Sequence, residues 1–207
     1  MWPEGGAYNR AVIDTVLRFI ADETNTFLLR RTGSELGAVV LGPIVNAAGA
    51  LQHGNNELRL TLFQADEERT TREQLPQRRI VAGREVLLPP PLKLNLTLLF
   101  TANFQIYEQG LRHLSQVLNF MAARPVFTAA EHPALPGGLE RLAMDLISHG
   151  PEQLNQIWAC VGARHMPHLV YRARAVLLQD TEPVGSGAPI TEIHHTLRDT
   201  HPRAVPT

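Results

Sequence analysis

The stretch Pro89-Pro90-Pro91-Leu92-Lys93-Leu94-Asn95-Leu96-Thr97-Leu98-Leu99-Phe100 decides how this chain can fold. The three prolines stiffen the backbone into an extended entry. Leu92, Leu94, Leu96 and Leu98 then alternate with Lys93, Asn95 and Thr97, the period-two pattern of a strand with one apolar face. From Ile106 to Ala123 the period lengthens. Tyr107, Leu111, Leu114, Leu118 and Met121 fall at alternate spacings of four and three residues, which predicts a helix with a single apolar stripe.

Upstream, Ala7 to Arg31 reads as a long helix. Ile13, Val16, Leu17 and Ile20 mark its buried face, Phe27 and Leu28 extend it, and Gly33 stops it. Arg30 and Arg31 lie in its last turn, where cations suit the helix dipole. Leu36 to Asn46 is an apolar, β-branched run that predicts a buried strand with a break or an edge at Pro43. Gly49 to Asn56 predicts a turn with His53-Gly54-Asn55-Asn56 at its tip. In the strand Glu57 to Gln64, Leu58, Leu60 and Leu62 share one face, and Arg59 and Thr61 the other. Asp66 to Arg79 is highly charged and reads as an exposed loop or arm, and Ile80 to Leu88 as a short strand pair around Gly83.

Downstream, Pro125 to Thr128 predicts a short strand, and Ala129 to Gly138 a Pro- and Gly-rich loop. Leu139 to Ile147 predicts a strand on the alternation Leu142, Met144, Leu146. A helix opens at Gly150-Pro151-Glu152, because proline is tolerated in a first turn. It carries Leu154, Ile157, Trp158 and Val161 and is expected to end at Pro167. Leu169 to Leu178 predicts a last strand with Tyr171, Ala173, Ala175 and Leu177 on one face, and Arg172 and Arg174 on the other. After Asp180, prolines and glycines crowd together, which predicts a flexible tail over residues 182–207. The sum is an α+β chain: one domain over residues 7–181, with a mixed or mainly antiparallel sheet packed by about three helices.

Composition narrows the function. A chain of 207 residues, 44 % hydrophobic and 19 % charged, is long enough to bury roughly 70 % of its unfolded surface without metals or disulfides. With 19 basic and 20 acidic residues the net charge is −1, which argues against nucleic acid as a partner. Cys160 is the single cysteine, so an intramolecular disulfide and a Cys-rich zinc cluster are excluded. No segment approaches the ~18 apolar residues of a membrane span, and Met1 to Arg10 lacks the pattern of a signal peptide. Synthesis in the cytoplasm and no membrane insertion are therefore expected.

The search for chemistry returns no site. Cys160 lies in the apolar helical context Trp158-Ala159-Cys160-Val161 and reads as a buried structural thiol rather than a nucleophile. His165 and His168 flank Pro167 and do not suit a zinc-ligand pair with a known partner; His194, His195 and His201 fall in the tail and read as polar tail residues, with metal ligation the alternative. No nucleophile elbow and no phosphate-binding glycine loop occurs. Asn95-Leu96-Thr97 matches a glycosylation sequon but lies within a strand. The chain is therefore expected not to be an enzyme and to need no cofactor, metal or catalytic residue. Two charged groups are the candidates for contact with other chains. Asp66, Glu67 and Glu68 precede Arg69 and Arg72, either as a solvated loop or as a docking arm. Arg172 and Arg174, with Arg164, form either a strand's solvent face or an interface.

Several segments, taken in order, resemble a known family. They are Val12-Ile13-Asp14-Thr15-Val16-Leu17, Val40-Leu41-Gly42-Pro43-Ile44-Val45-Asn46, Pro90 to Leu96, Leu99 to Phe104, Leu114 to Leu118, Pro125 to Thr128, Glu152 to Trp158, and Gly162 to Pro167. The ordered set is similar to the N-terminal domain of the tail-terminator, or cap, proteins of phage-tail-like extracellular contractile injection systems, over about residues 9–181. The resemblance implies a structural subunit that forms a ring, expected to be a hexamer, on the end of the inner tube and its contractile sheath. It implies sheath and inner-tube proteins as partners, no catalytic residue or cofactor, and residence in a particle released outside the cell. The alternative within the same resemblance is a transient assembly chaperone or adaptor for sheath or tube subunits. Pro43 departs from the polar residue, such as Asn, expected there. Glu67, Glu68, Arg69, Arg72, Arg172 and Arg174 are the candidate interface residues, since strand edges and charged arms are physical routes to subunit contact.

Overall fold

The computed structural model describes residues 12–68, 77–81, 84–88, 93–136, 139–177 and 185–186. Helix α1 (Val12–Thr32) leads into strand β1 (Val39–Leu41). Strand β2 (Glu57–Glu67) and the hairpin β3 (Gln77–Val81) and β4 (Arg84–Leu88) follow. Then come β5 (Lys93–Asn103), helix α2 (Tyr107–Ala123), β6 (Val126–Thr128) and β7 (Leu139–Ile147). Helix α3 (Pro151–Val161), β8 (His168–Leu177) and the short β9 (Gly185–Ser186) complete the order.

The leucine-alternating segment is the spine of the molecule. As β5 it lies third in a six-stranded sheet of order β1-β2-β5-β8-β7-β6, paired antiparallel with both β2 and β8. Only β1 pairs parallel, to β2, so the sheet is mixed. Leu96, Leu98, Phe100 and Ala102 point to the inner face, under α1 and α2, with Leu58 and Leu60 of β2 and Tyr171, Ala173 and Ala175 of β8. Phe100 meets Tyr171 edge-on at 5.8 Å, Phe19 meets Phe127 at 5.4 Å, and Phe27 stacks on Phe120 at 5.0 Å. Burial pushes the Tyr171 hydroxyl up to about 12. The opposite, outer face carries a separate small cluster, Ile44, Leu99, Trp158 and Val170, which holds α3.

The apolar run before Pro43 yields a strand of only three residues. Asn25 of α1 takes the place of a further strand at β1: its Nδ2 donates to Val39 O at 3.0 Å, and Val39 N–H donates to Asn25 Oδ1 at 2.6 Å. Beyond Pro43 the chain turns outward, and Ile44 is buried in the outer cluster. His53, expected at a turn tip, is buried. The charged segment read as a loop from Asp66 to Arg79 is partly sheet. Strand β2 continues to Glu67, through a bulge at Phe63 where the register shifts between Leu62 and Gln64, and β3 begins at Gln77. The strand pair expected from Ile80 to Leu88 is the β3–β4 hairpin. Within the stretch read as a flexible tail, Gly185 and Ser186 pair with Leu87 and Val86 of β4, giving a second, three-stranded sheet.

Helix α2 is present but rotated from the predicted stripe. Its buried residues are Gly110, Leu114, Val117, Phe120 and Met121, whereas Tyr107, Leu111 and Leu118 are 65 %, 40 % and 36 % exposed. Two contacts set the rotation. Phe120 is drawn to Phe27, and Gly110 lets the helix approach β5, where an added Cβ would meet Phe104 at 3.3 Å and Ala102 at 3.5 Å. Helix α3 stops at Gly162, which takes the left-handed conformation at φ 72° and donates to the carbonyls of Trp158 and Ala159. Pro167 lies beyond that stop and does not cause it.

Candidate functional site

Strand alternation sends Arg172 and Arg174 to the outer face of β8, and both are exposed. Arg174 bonds to Asp145 of β7, with Nε 2.7 Å from Oδ2 and an Nη at 3.1 Å from Oδ1. Arg172 faces an open groove of about 520 Å3 between the sheet and α3, which it shares with Asp66, Asn95, Thr97, Gln156 and Cys160. Glu67 ends β2 opposite Leu94. Glu68 follows, its N–H donating to Lys93 O at 2.8 Å and its Oε2 accepting from Asn95 Nδ2 at 2.7 Å. The fold thus brings the base of the charged segment and the arginine strand to one face, with Asp66 and Arg172 lining one groove. Arg69 and Arg72 lie outside the described residues, as do His194, His195 and His201.

Cys160 is exposed and not buried as expected. Helix α3 turns Ile157 and Trp158 to the sheet, and Cys160, two residues past Trp158, falls on the solvent side of the turn. His165 and His168 do meet: their rings are 5.1 Å apart, and each packs on Trp158, at 5.3 and 5.2 Å. Burial lowers the His168 pKa, and the neighbouring His165 and His149 add to that, against the bond to Met166 O. Among the described residues no group of histidine, cysteine and carboxylate side chains is arranged to hold a metal ion.

A buried polar knot on the same outer face was not legible in the sequence. Glu57 and Arg59 are two apart on β2, hence side by side on one face, and the Arg59 Nη2 lies 2.5 Å from Glu57 Oε1. Arg59 also donates to Pro43 O at 3.1 Å, and Gly54 N–H donates to Glu57 Oε1 at 2.7 Å. His53 Nε2 is 3.2 Å from Thr101 O, and its Nδ1 is 3.4 Å from Glu57. Burial lowers the His53 pKa. For Glu57, burial acts upward but is outweighed by the Arg59 and Gly54 hydrogen bonds and the Arg59 charge, which hold the carboxyl below its ordinary range. The knot ties the loops at 43 and 54 to the sheet; its groups are spent on one another, which suits a framework better than a reaction centre. The one signal for it is the alternation that puts Glu57 and Arg59 on a common face.

No helix among the described residues is long and apolar enough to cross a membrane. No curated protein matches the sequence significantly. Among solved structures, the fold is similar to the sheath/tube terminator of an extracellular contractile injection system, the PVC particle, in its extended state. The TM-score is 0.61 and the identity 19 %, over 93 % of this chain and 65 % of that one. It is also similar to the tube-terminating cap of the anti-feeding prophage, with a TM-score of 0.59 and 14 % identity over 89 % of this chain and 60 % of that one. The chain therefore spans less than two thirds of the length of either. Residues 11–192 match the family model described as the Pvc16 N-terminal domain, and the chain belongs to that family.

Proposed function

We propose that this chain is a structural subunit that terminates the inner tube and sheath of a contractile injection particle, assembled as a ring of six copies. The observation that carries this reading is the extent of the likeness. Nearly the whole chain, 93 % of it, superposes on a sheath/tube terminator, and the family match runs from residue 11 to residue 192. The physical character of the molecule agrees. Its apolar core is spent on packing α1 and α2 against the sheet, and its largely buried charge pair, Glu57 with Arg59, is spent on itself. The partners in this reading are the particle's sheath and tube proteins, and the chain acts by contact, not by catalysis.

Particles assembled without this chain test the reading. Negative-stain images are expected to show tubes and sheaths of uncontrolled length, and restoring the chain is expected to restore one length. Normal lengths in its absence overturn the proposal. Purified particles are expected to retain the chain; its absence from otherwise complete particles favours a transient assembly chaperone.

A further inference from the structure

Helix α1 has two solvent flanks of different chemistry. On one, Asp22 and Glu35 line a groove of about 420 Å3 with Leu29, and Leu29 and Leu36 are each 48 % exposed at its rim. Among the described residues no cation lines that groove. On the other, Arg30 and Arg124 line a groove of about 610 Å3 between α1 and the end of α2, and Arg31 stands beside it. Arg31 lies over Phe27 at 5.6 Å and Arg124 over Phe120 at 5.9 Å, on the two rings that stack between the helices. None of the side chains of Asp22, Glu35, Arg30, Arg31 or Arg124 has a hydrogen-bond or ion-pair partner among the described residues.

The carboxyl ends of α1 and α2 make arginines welcome at that corner. The dipole does not account for the aromatic rings there, over which the guanidinium groups of Arg31 and Arg124 lie. The corner also holds Glu23 and Glu131. Glu23 faces His132 at 3.9 Å, and the three arginines outnumber the two carboxylates.

A chain that carries unpaired carboxylates beside exposed leucines on one flank, and unpaired arginines over aromatic rings on the other, is complementary to itself. We infer that the two flanks of α1 are the two halves of a head-to-tail contact between copies of this chain, in which Asp22, Glu35, Leu29 and Leu36 of one copy seat on Arg30, Arg31 and Arg124 of the next. The inference rests on the ring reading above and says which surfaces close the ring. A closed ring needs two different, complementary patches on each subunit. At 3.6 residues per turn Asp22 and Leu29 lie roughly 90° around α1 from Arg30, so the two patches face different directions, as a head-to-tail contact requires.

Paired charge reversals test this. Chains with Asp22→Arg and Glu35→Arg, or with Arg30→Glu and Arg124→Glu, are each expected to lose at least ten-fold of the ring population in native mass spectrometry. Wild-type circular dichroism would show that they fold. Mixing the two is expected to restore a ring in which they alternate, and so is putting all four changes in one chain. Separately, Arg31→Cys with Leu36→Cys in a Cys160→Ser background is expected to give a ladder of disulfide-linked copies. The measurements are made on the chain alone and with tube and sheath subunits. A wild-type chain that stays monomeric in both settings overturns the ring itself. A ring that is indifferent to both reversals and gives no ladder leaves the ring standing and overturns this interface.

Discussion

The two faces of the sheet are built on opposite plans. The inner face is apolar and continuous: Phe100, Phe127, Leu58, Leu60, Leu96 and Leu98 are almost without exposure, and two long helices cover them. The outer face divides its area among a small cluster around Trp158, the knot of His53, Glu57 and Arg59, and the open groove that Arg172 lines. Among the described residues Trp158 Nε1 and His149 Nε2 are buried there without a hydrogen-bond partner, a cost that a well-made seat for α3 would avoid. The contrast separates two tasks. The inner face holds the domain together, and the outer face holds one helix in place lightly.

Two truncations set the faces against each other. Phe100→Ala removes a fully buried ring from the centre of the inner core and its edge contact to Tyr171. It is expected to cost about 3–5 kcal/mol in urea unfolding, and to lower protection of the whole sheet in hydrogen exchange. Trp158→Ala removes a ring of larger volume but acts on the small outer cluster that seats α3. The expected loss is smaller, roughly 1–3 kcal/mol, because α3 can open by itself before the sheet does. Exchange is expected to rise across Pro151–Val161 while β5 and β8 stay protected. Equal losses, or a sheet opened by Trp158→Ala, would join the two faces into one cooperative unit.

The same division explains what was legible in the sequence. Strand β5 could be read residue by residue because each of its side chains obeys one rule, in or out. The α+β class, the three helices and the β3–β4 hairpin follow from such local periods. Helix α2 could not be placed by its leucines. Spacing fixes that a stripe exists, but Phe27 on a distant helix and the close approach at Gly110 fix which stripe is buried. Cys160 failed for a related reason: an apolar neighbourhood in sequence includes both sides of a helix. The outer-face groups are further from reach. Arg174 meets Asp145 only because β7 and β8 pair in that register, and His165 joins His168 over Trp158 only because the chain turns at Gly162.

The pH dependence of stability extends the comparison, with the smallest expected effect. Both histidines with lowered pKa values, His53 and His168, serve the outer face. In the unfolded chain they titrate near 6.5, whereas burial in the fold makes them refuse a proton until lower pH. The unfolded state therefore binds more protons as the pH falls below about 6.5, and the stability carried by the neutral rings, complete above that value, is lost as the pH falls through the folded values. Glu57 adds a second window. Its carboxyl is held below the ordinary 4.5, so its contribution is present above that value and is lost as the pH drops through the folded one. The urea midpoint is thus expected to be lower at pH 5.5 than at pH 7.5, with a smaller difference in His168→Gln. Hydrogen exchange at pH 5.5, corrected for its intrinsic rate, is expected to show α3 opening first, since protonated His168 would stand 5.1 Å from His165 with Trp158 against both. A midpoint unchanged by pH, or a loss that begins in β5 and α2, would mean that protonation is felt by the inner core and that the outer face is not the adjustable half of the molecule.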